Sequence, residues 1–375
     1  MKIQIIIFLF ISYLFSSCNQ KEHHIENVIF NTGFEPRKVF VGNVKSKKAN
    51  EFSVYFAEPV TKKIIKFFDL NGEYKDSINL KPIASKIANV ENISVISRDT
   101  ILMYFADKII AINRFGTITH SKELPLENTN GDFFIFGSPT ISNFTNNTSQ
   151  IILYHDWRYN KNEPDLNFKE YYANYFEKPM YSRISDFFGD SINVSYSENS
   201  SLYKEIYSKP KIFLETPKYI QLGNEFYAFS LYSNKIFKFN INDFKLSNSF
   251  IIESQYTSVG SEALDLIQEN SINLGKKTGE IAKNSGRIGT ILHNSTKNEF
   301  YVLIYHKTNY QKIEDISLRP FSIIKYNKEF IKIKEIPFTN EIYKGSSIQF
   351  TPKGLMLLNK KESTDEELHY DFFDF

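Results

Sequence analysis

The segment KYIQLGNEFYAFSLYSNKIFKFNINDFKLSNSFII, residues 218–252, decides the fold. It divides into four short β-forming runs: Lys218 to Leu222, Phe226 to Leu231, Lys235 to Asn240 and Lys245 to Ile252. β-Branched and aromatic residues fill them, as a pleated surface favours. Gly223-Asn224, Ser233-Asn234 and Asn242-Asp243 fall between the runs, and these residue types form tight turns. Four strands joined in this way make one antiparallel sheet.

The unit recurs along the chain. A β-rich run ending in tyrosine, a turn and a second β-rich run appear around Tyr55, Tyr104, Tyr154, Tyr232 and Tyr305, with Leu358 in the tyrosine position of a degenerate last copy. The markers are 49, 50, 78, 73 and 53 residues apart. A basic period of about 50 residues fits four-stranded propeller blades. Asn71-Gly72 adds a hairpin signal in the first copy. The expected fold is therefore all-β, a six-bladed β-propeller of four-stranded blades over residues 25–375. The last copy supplies three strands, Ser346 to Phe350, Gly354 to Asn359 and Glu367 to Phe373. An N-terminal strand around Ile25 to Phe30 is expected to complete that blade and remove the free sheet edges. The rival architecture is a pair of β-sandwiches divided near residue 200, which a marker shared by six places disfavours.

The leader carries the second signal. Lys2, the apolar run Ile3 to Phe15 and the small pair Ser16-Ser17 have the anatomy of a secretory signal peptide. The run is too short to span a bilayer, which takes about 20 apolar residues. Cys18, the only cysteine, follows the small pair directly. This resembles a bacterial lipoprotein signal, with Phe15 where that pattern usually has leucine. The resemblance implies residues 1–17 as signal peptide, Cys18 as the lipidated first mature residue and 18–24 as a tether. Two or more acyl chains anchor stably where one does not. The retention aspartate is absent after Cys18, so the expected location is the outer membrane, facing the periplasm or the cell surface. Lys21-Glu22 reads first as solvated tether and second as a charged surface-export tag.

The whole organisation resembles uncharacterised bacterial outer-membrane lipoproteins of a domain-of-unknown-function family with a TolB-like six-bladed β-propeller. Blade texture such as Lys63-Ile64-Ile65-Lys66-Phe67 and Lys235-Ile236-Phe237-Lys238-Phe239 carries the likeness. It implies a fold and a location, and no activity.

Composition narrows the function classes. The chain is 42% hydrophobic with net charge +2, which suits a large core and gives no basic stripe for nucleic acid. A single cysteine permits no internal disulfide. Metal and catalytic motifs are lacking: there is no His-Glu-x-x-His, EF-hand or Gly-x-Ser-x-Gly. Gly275 to Gly279 lacks phosphate-loop spacing and reads as a turn. No cofactor or metal is expected.

Strand order places the long additions. In a blade with strands A to D, the B–C turns and the D-to-A links share one face. The additions Asp156 to Lys178, Ser254 to Ser285 and Lys307 to Arg319 all fall there, and long loops on rigid scaffolds often carry function. Within the second, Glu262 to Glu269 has the spacing of a short amphipathic helix. His155-Asp156-Trp157-Arg158 opens the first addition, and His306 holds the matching position two blades on. These five are the candidate binding residues. Trp157 offers a stacking face, Arg158 an anion fork and the histidines titratable groups. Trp157 as a loop anchor and Asp156–Arg158 as an ordinary ion pair is the first reading. Asp165, Glu170, Glu177 and Asp186 are acids near the same addition. The expected function is a tethered binding or scaffold propeller for an envelope protein or glycan. The alternatives are an extracellular carbohydrate-active hydrolase or lyase, and an accessory to outer-membrane assembly or uptake.

Overall fold

The computed structural model describes residues 23–35, 39–45, 52–105, 107–124, 134–137, 151–157, 181–185, 187–189, 193–196, 204–205, 211–212, 218–230, 233–260, 264–265, 284–307 and 319–375. Cys18, Arg158 and Tyr232 lie outside them, as do Asp165, Glu170, Glu177 and Asp186.

The chain opens with β1 (His24–Asn31). The first blade is β2 (Phe40–Lys45), β3 (Phe52–Glu58), β4 (Ile64–Phe68) and β5 (Tyr74–Asn79). The second is β6 (Asn92–Ser97), β7 (Thr100–Tyr104), β8 (Lys108–Ile112) and β9 (Ile118–Glu123). The third is β10 (Phe134–Gly137), β11 (Ile151–Trp157), β12 (Tyr181–Ser185) and β13 (Asn193–Tyr196). After β14 (Lys211–Ile212), the fourth blade is β15 (Lys218–Leu222), β16 (Glu225–Phe229), β17 (Lys235–Asn240) and β18 (Leu246–Ile251). β19 (Leu264–Asp265) precedes the fifth blade, β20 (Arg287–Asn294), β21 (Glu299–Tyr305), β22 (Phe321–Tyr326) and β23 (Lys332–Phe338). The terminal sheet contains β24 (Tyr343–Thr351), β25 (Gly354–Asn359) and β26 (Glu367–Phe373), and β1 pairs antiparallel with β26 at its outer edge.

These are four-stranded antiparallel blades of a β-propeller. The inner strands β24, β2 and β6 are neighbours, and so are β15, β20 and β24. The third blade meets the second through Lys122 Nζ and Gly189 O at 2.6 Å, and the fourth through Arg183 Nη1 and Asn242 O at 3.2 Å. Each hydrophobic cluster sits between two facing sheets. Ile65 and Phe67 of the first blade meet Ile101 and Met103 of the second. Phe30, Phe56 and Phe372 pack where β1, the first blade and the terminal sheet converge. Stacked sandwiches would instead bury one face of each sheet, and β3 is buried along nearly its whole length. Outer strands show the opposite texture: β9 alternates half-buried and exposed residues, because only one side of it meets a neighbouring sheet.

The tyrosine marker does not keep one register. Tyr55 pairs with Phe67, late in strand C of its blade, whereas Tyr104 pairs with Ile109, early in its strand C. The near-regular spacing follows from one strand B per blade and from the general preference of strands for tyrosine. The short helix expected from Glu262 is also corrected at Leu264–Asp265, which is extended and paired with Lys211–Ile212. A cross-strand partner outweighs a weak helical periodicity over so few residues.

The C–D pairs of the first, second, fourth and fifth blades each carry a register shift near the C–D turn. Bulges increase local twist and bend the strand. In the first blade that turn packs against β1. Gly72 has φ +84°, and a Cβ there would lie 2.2 Å from the Ile29 carbonyl oxygen. Gly72→Ala is expected to cost about 2 kcal/mol or more, from backbone strain plus overpacking. Gly223→Ala, at φ +61° with open space around it, should cost only about 1 kcal/mol. Paired urea denaturation curves check the difference.

Candidate functional site

The long additions are rooted on one face. Residues 158–180, 266–283 and 308–318 lie outside the described set, but their stems do not. The stems of the second and third are clasped together. Lys307 N donates to Thr257 Oγ1 at 3.2 Å, and Arg319 Nη1 donates to Ser285 O at 3.4 Å. Gly286 N reaches Ser258 O at 3.0 Å, and Gly260 N reaches Gly286 O at 3.1 Å. The Tyr256 ring stacks on His306, centroids 5.9 Å apart and planes 19° from parallel. The β14–β19 ribbon ties the link after the third blade to the link after the fourth. Residues from distant parts of the chain thus converge beside the B–C end of the fifth blade.

Glu335 anchors this clasp from below. Its buried carboxylate accepts Ser254 Oγ at 2.5 Å, Gln255 N at 2.9 Å, Ser322 Oγ at 2.6 Å and Lys332 Nζ at 2.6 Å. Burial alone would raise its pKa, but the ammonium, two hydroxyls and the amide outweigh that and hold it below the ordinary value. His306 goes the other way. Burial lowers its pKa to about 4, and the opposing attraction of Glu335 does not restore it. Its Nε2 is buried with no hydrogen-bond partner among the described residues. At neutral pH the ring is uncharged and a weak base, which suits recognition better than proton transfer.

The opposite face holds a cavity of about 420 Å³ between the fifth blade, the terminal sheet and the first blade. Its walls are preset. Tyr301 stacks on Phe350 with centroids 5.1 Å apart. Asn43 Nδ2 donates to Phe350 O at 2.9 Å, and Gln349 Nε2 to Val41 O at 3.1 Å. Burial lowers the pKa of His293, whose Nε2 is 3.0 Å from Asn298 Oδ1. The volume falls in the range of small-ligand sites.

A repeated polar device lies beside this cavity, and the marker reading misses it. Asn298-Glu299-Phe300-Tyr301 repeats Asn224-Glu225-Phe226-Tyr227. In the fifth blade Tyr301 Oη donates to Glu299 at 3.1 Å, and Lys325 Nζ lies 3.1 Å from the same carboxylate. In the fourth, Tyr227 Oη donates to Glu225 at 3.3 Å and Lys238 Nζ lies 2.7 Å from it. The signal was four consecutive identities at the start of strand B.

Of the sequence-derived candidates, His155, Asp156 and Trp157 are the last three residues of β11, opposite Phe136, Ile135 and Phe134 of β10. The strand runs through them, so the addition begins at residue 158 rather than Asp156. His306 follows β21 directly, and its N–H donates to Pro320 O at 2.8 Å. The fourth blade stands between the sheets of His155 and His306, and the two are not brought together. Among the described residues no three or more His, Cys, Asp or Glu side chains gather as for a metal, and no helix is long and apolar enough to cross a membrane.

Sheet order and inter-sheet cores together define a β-propeller with preset surfaces at both ends. No family model matches the chain, and no curated protein matches it. Among solved structures, it is similar to a member of the DUF4221 family from Bacteroides vulgatus, with TM-score 0.71 and 15% identity over 94% of this chain and 97% of that one. At that identity the likeness shows the fold alone. A putative exported protein from Bacteroides fragilis matches at TM-score 0.42 and 9% identity, over 90% and 95% of the two chains. A protein of unknown function from Bacteroides caccae matches at TM-score 0.35 and 9% identity, over 80% and 82%.

Proposed function

We propose that this chain is a membrane-tethered binding or scaffold propeller, anchored through Cys18 to the outer membrane. It works as a six-bladed ring closed by β1, and it engages an envelope protein or glycan with its insert-bearing face. The observation that carries the reading is the clasp of two insert stems around His306, fixed to the fifth blade by Glu335. Two long additions leave the scaffold side by side from a rigid, hydrogen-bonded base. Fixing their roots lowers the ordering cost of contacting a partner.

The test is a full-length lipoprotein with residues 266–283 replaced by a short Gly-Ser linker, both stems intact. Cross-linking in cells followed by pull-down should recover the envelope partner of the parent protein about tenfold less well, a loss of the order that removing one interface anchor produces. The melting temperature should stay unchanged. Equal recovery with equal stability would show that the addition is not the contact surface.

A further inference from the structure

The face opposite the inserts has two features that belong together. The first is the place where the tether leaves the fold. β1 starts with His24 at the C–D corner of the terminal sheet and runs antiparallel to β26. His23 O accepts the Asp374 amide at 2.9 Å, and its ring lies 6.5 Å from Phe375. The second feature is a rim of apolar side chains. Ile25, Tyr74, Phe115, Phe188, Leu246 and Ile331 are all exposed, Phe115 by 76% and Ile331 by 63%. Each stands at the C–D corner of a different sheet: in or beside the C–D turn of the first five blades, and at the start of β1 in the terminal sheet. No other position in the blades repeats an exposed large hydrophobic in this way among the described residues.

Resting on the Cys18 anchor proposed above, we propose that this face lies on the lipid bilayer, its six-residue apolar rim in the interface and its insert-bearing face turned away. Reach supports the orientation. His23 is five residues from Cys18, and an extended chain covers about 3.5 Å per residue, or about 17 Å in all. His23 stands beside Ile25 at the C–D corner of the terminal sheet, so the acyl chains hold that corner and its part of the rim within that distance of the bilayer. Apolar side chains at that height enter the headgroup boundary, where burying them is favourable. The cations of the C–D turns have acidic partners of their own: Lys75 with Asp69 and Glu73, Arg114 with Asp99, Lys245 with Asp243 and Lys328 with Glu329.

The full-length lipoprotein is reconstituted into phosphatidylethanolamine–phosphatidylglycerol vesicles carrying nitroxide-headgroup lipid. With Cys18 acylated, an introduced cysteine is the only free thiol. A fluorophore at Lys328→Cys, in a C–D turn, should be quenched about threefold more than one at Val60→Cys, in a B–C turn, with the difference kept at 0.5 M salt as roughly expected of an apolar contact. Phe115→Asp with Ile331→Asp should reduce quenching at residue 328 without lowering the melting temperature, since both side chains are exposed. Equal or reversed quenching of the two labels, on a protein whose N-terminal peptide mass shows acylated Cys18, overturns the orientation alone. An unacylated Cys18 overturns the tether and the orientation together. Quenching unchanged by the double substitution overturns the role of the rim.

Discussion

Asp371→Ala is expected to lower stability by about 3 kcal/mol and to expose β1 to protease. The Asp371 side chain is nearly fully buried and joins all four strands of the terminal sheet. It accepts Asn27 Nδ2 of β1 at 2.7 Å, Tyr343 Oη of β24 at 2.8 Å and Asn359 Nδ2 of β25 at 3.1 Å. His24 Nε2 is a fourth neighbour at 3.3 Å. Removing the carboxylate leaves buried donors without acceptors. Such a loss costs about 1–3 kcal/mol for each group stranded, and breaking a buried charged network costs about 3–5 kcal/mol. Asp371→Asn keeps the shape and one acceptor, so it should lose about half as much. Glu26→Gln is the control: its pair with Lys353 is half-buried and open to solvent, and pairs in contact with water contribute about 0–1 kcal/mol. Urea denaturation gives the energies. Limited proteolysis followed by mass spectrometry shows whether cleavage within 24–31 rises in Asp371→Ala beyond what the control shows. A variant that loses stability but keeps β1 protected would mean that the outer strand is held by its ladder and by Phe30, independently of this carboxylate.

The terminal sheet shows how much of the fold was legible. Ser346 to Phe350, Gly354 to Asn359 and Glu367 to Phe373 read as strands from hydrophobic runs and turn residues, and β24, β25 and β26 cover them. β1 pairs with β26 at the outer edge of that sheet, the edge that a three-stranded last copy leaves open. Register was not legible. Tyr55 and Tyr104 look equivalent by spacing, yet hydrogen bonding places them at opposite ends of their strands C. Their sheets are buried on both faces, and a strand with no polar side does not declare its register. The surroundings of His306 were illegible for a different reason. Tyr256 and Glu335 reach it only through the link after the fourth blade and through β23, so no local pattern connects them. The apolar rim was hidden among many aromatics and aliphatics until the C–D corners were placed on one face.

His306 gives the second large effect, and its sign follows from its surroundings. Burial sets its pKa at about 4 in the fold against 6.5 for the free side chain. Between those values the unfolded chain takes up a proton that the native chain refuses, so stability falls as pH falls from 6.5 toward 4. At pH 4.5 this loss reaches about 2–3 kcal/mol, since each pH unit in the window is worth about 1.4 kcal/mol. Above pH 6.5 the ring is neutral in both states and the contribution vanishes. Other groups, Glu335 among them, titrate in acid as well, so the pH profile of the parent protein alone does not isolate this residue. His306→Phe does. It keeps an aromatic ring against Tyr256, adds no charge and removes a buried nitrogen that has no partner among the described residues. The variant should match the parent at pH 7 within about 1 kcal/mol and exceed it by about 2–3 kcal/mol at pH 4.5, read from urea midpoints at constant m. If the two curves fall together in acid, His306 takes its proton inside the fold, and the clasp around it must open to water below pH 6. In that case the insert stems would part under the same conditions, and hydrogen exchange at the Lys307 and Gly286 amides would accelerate with them.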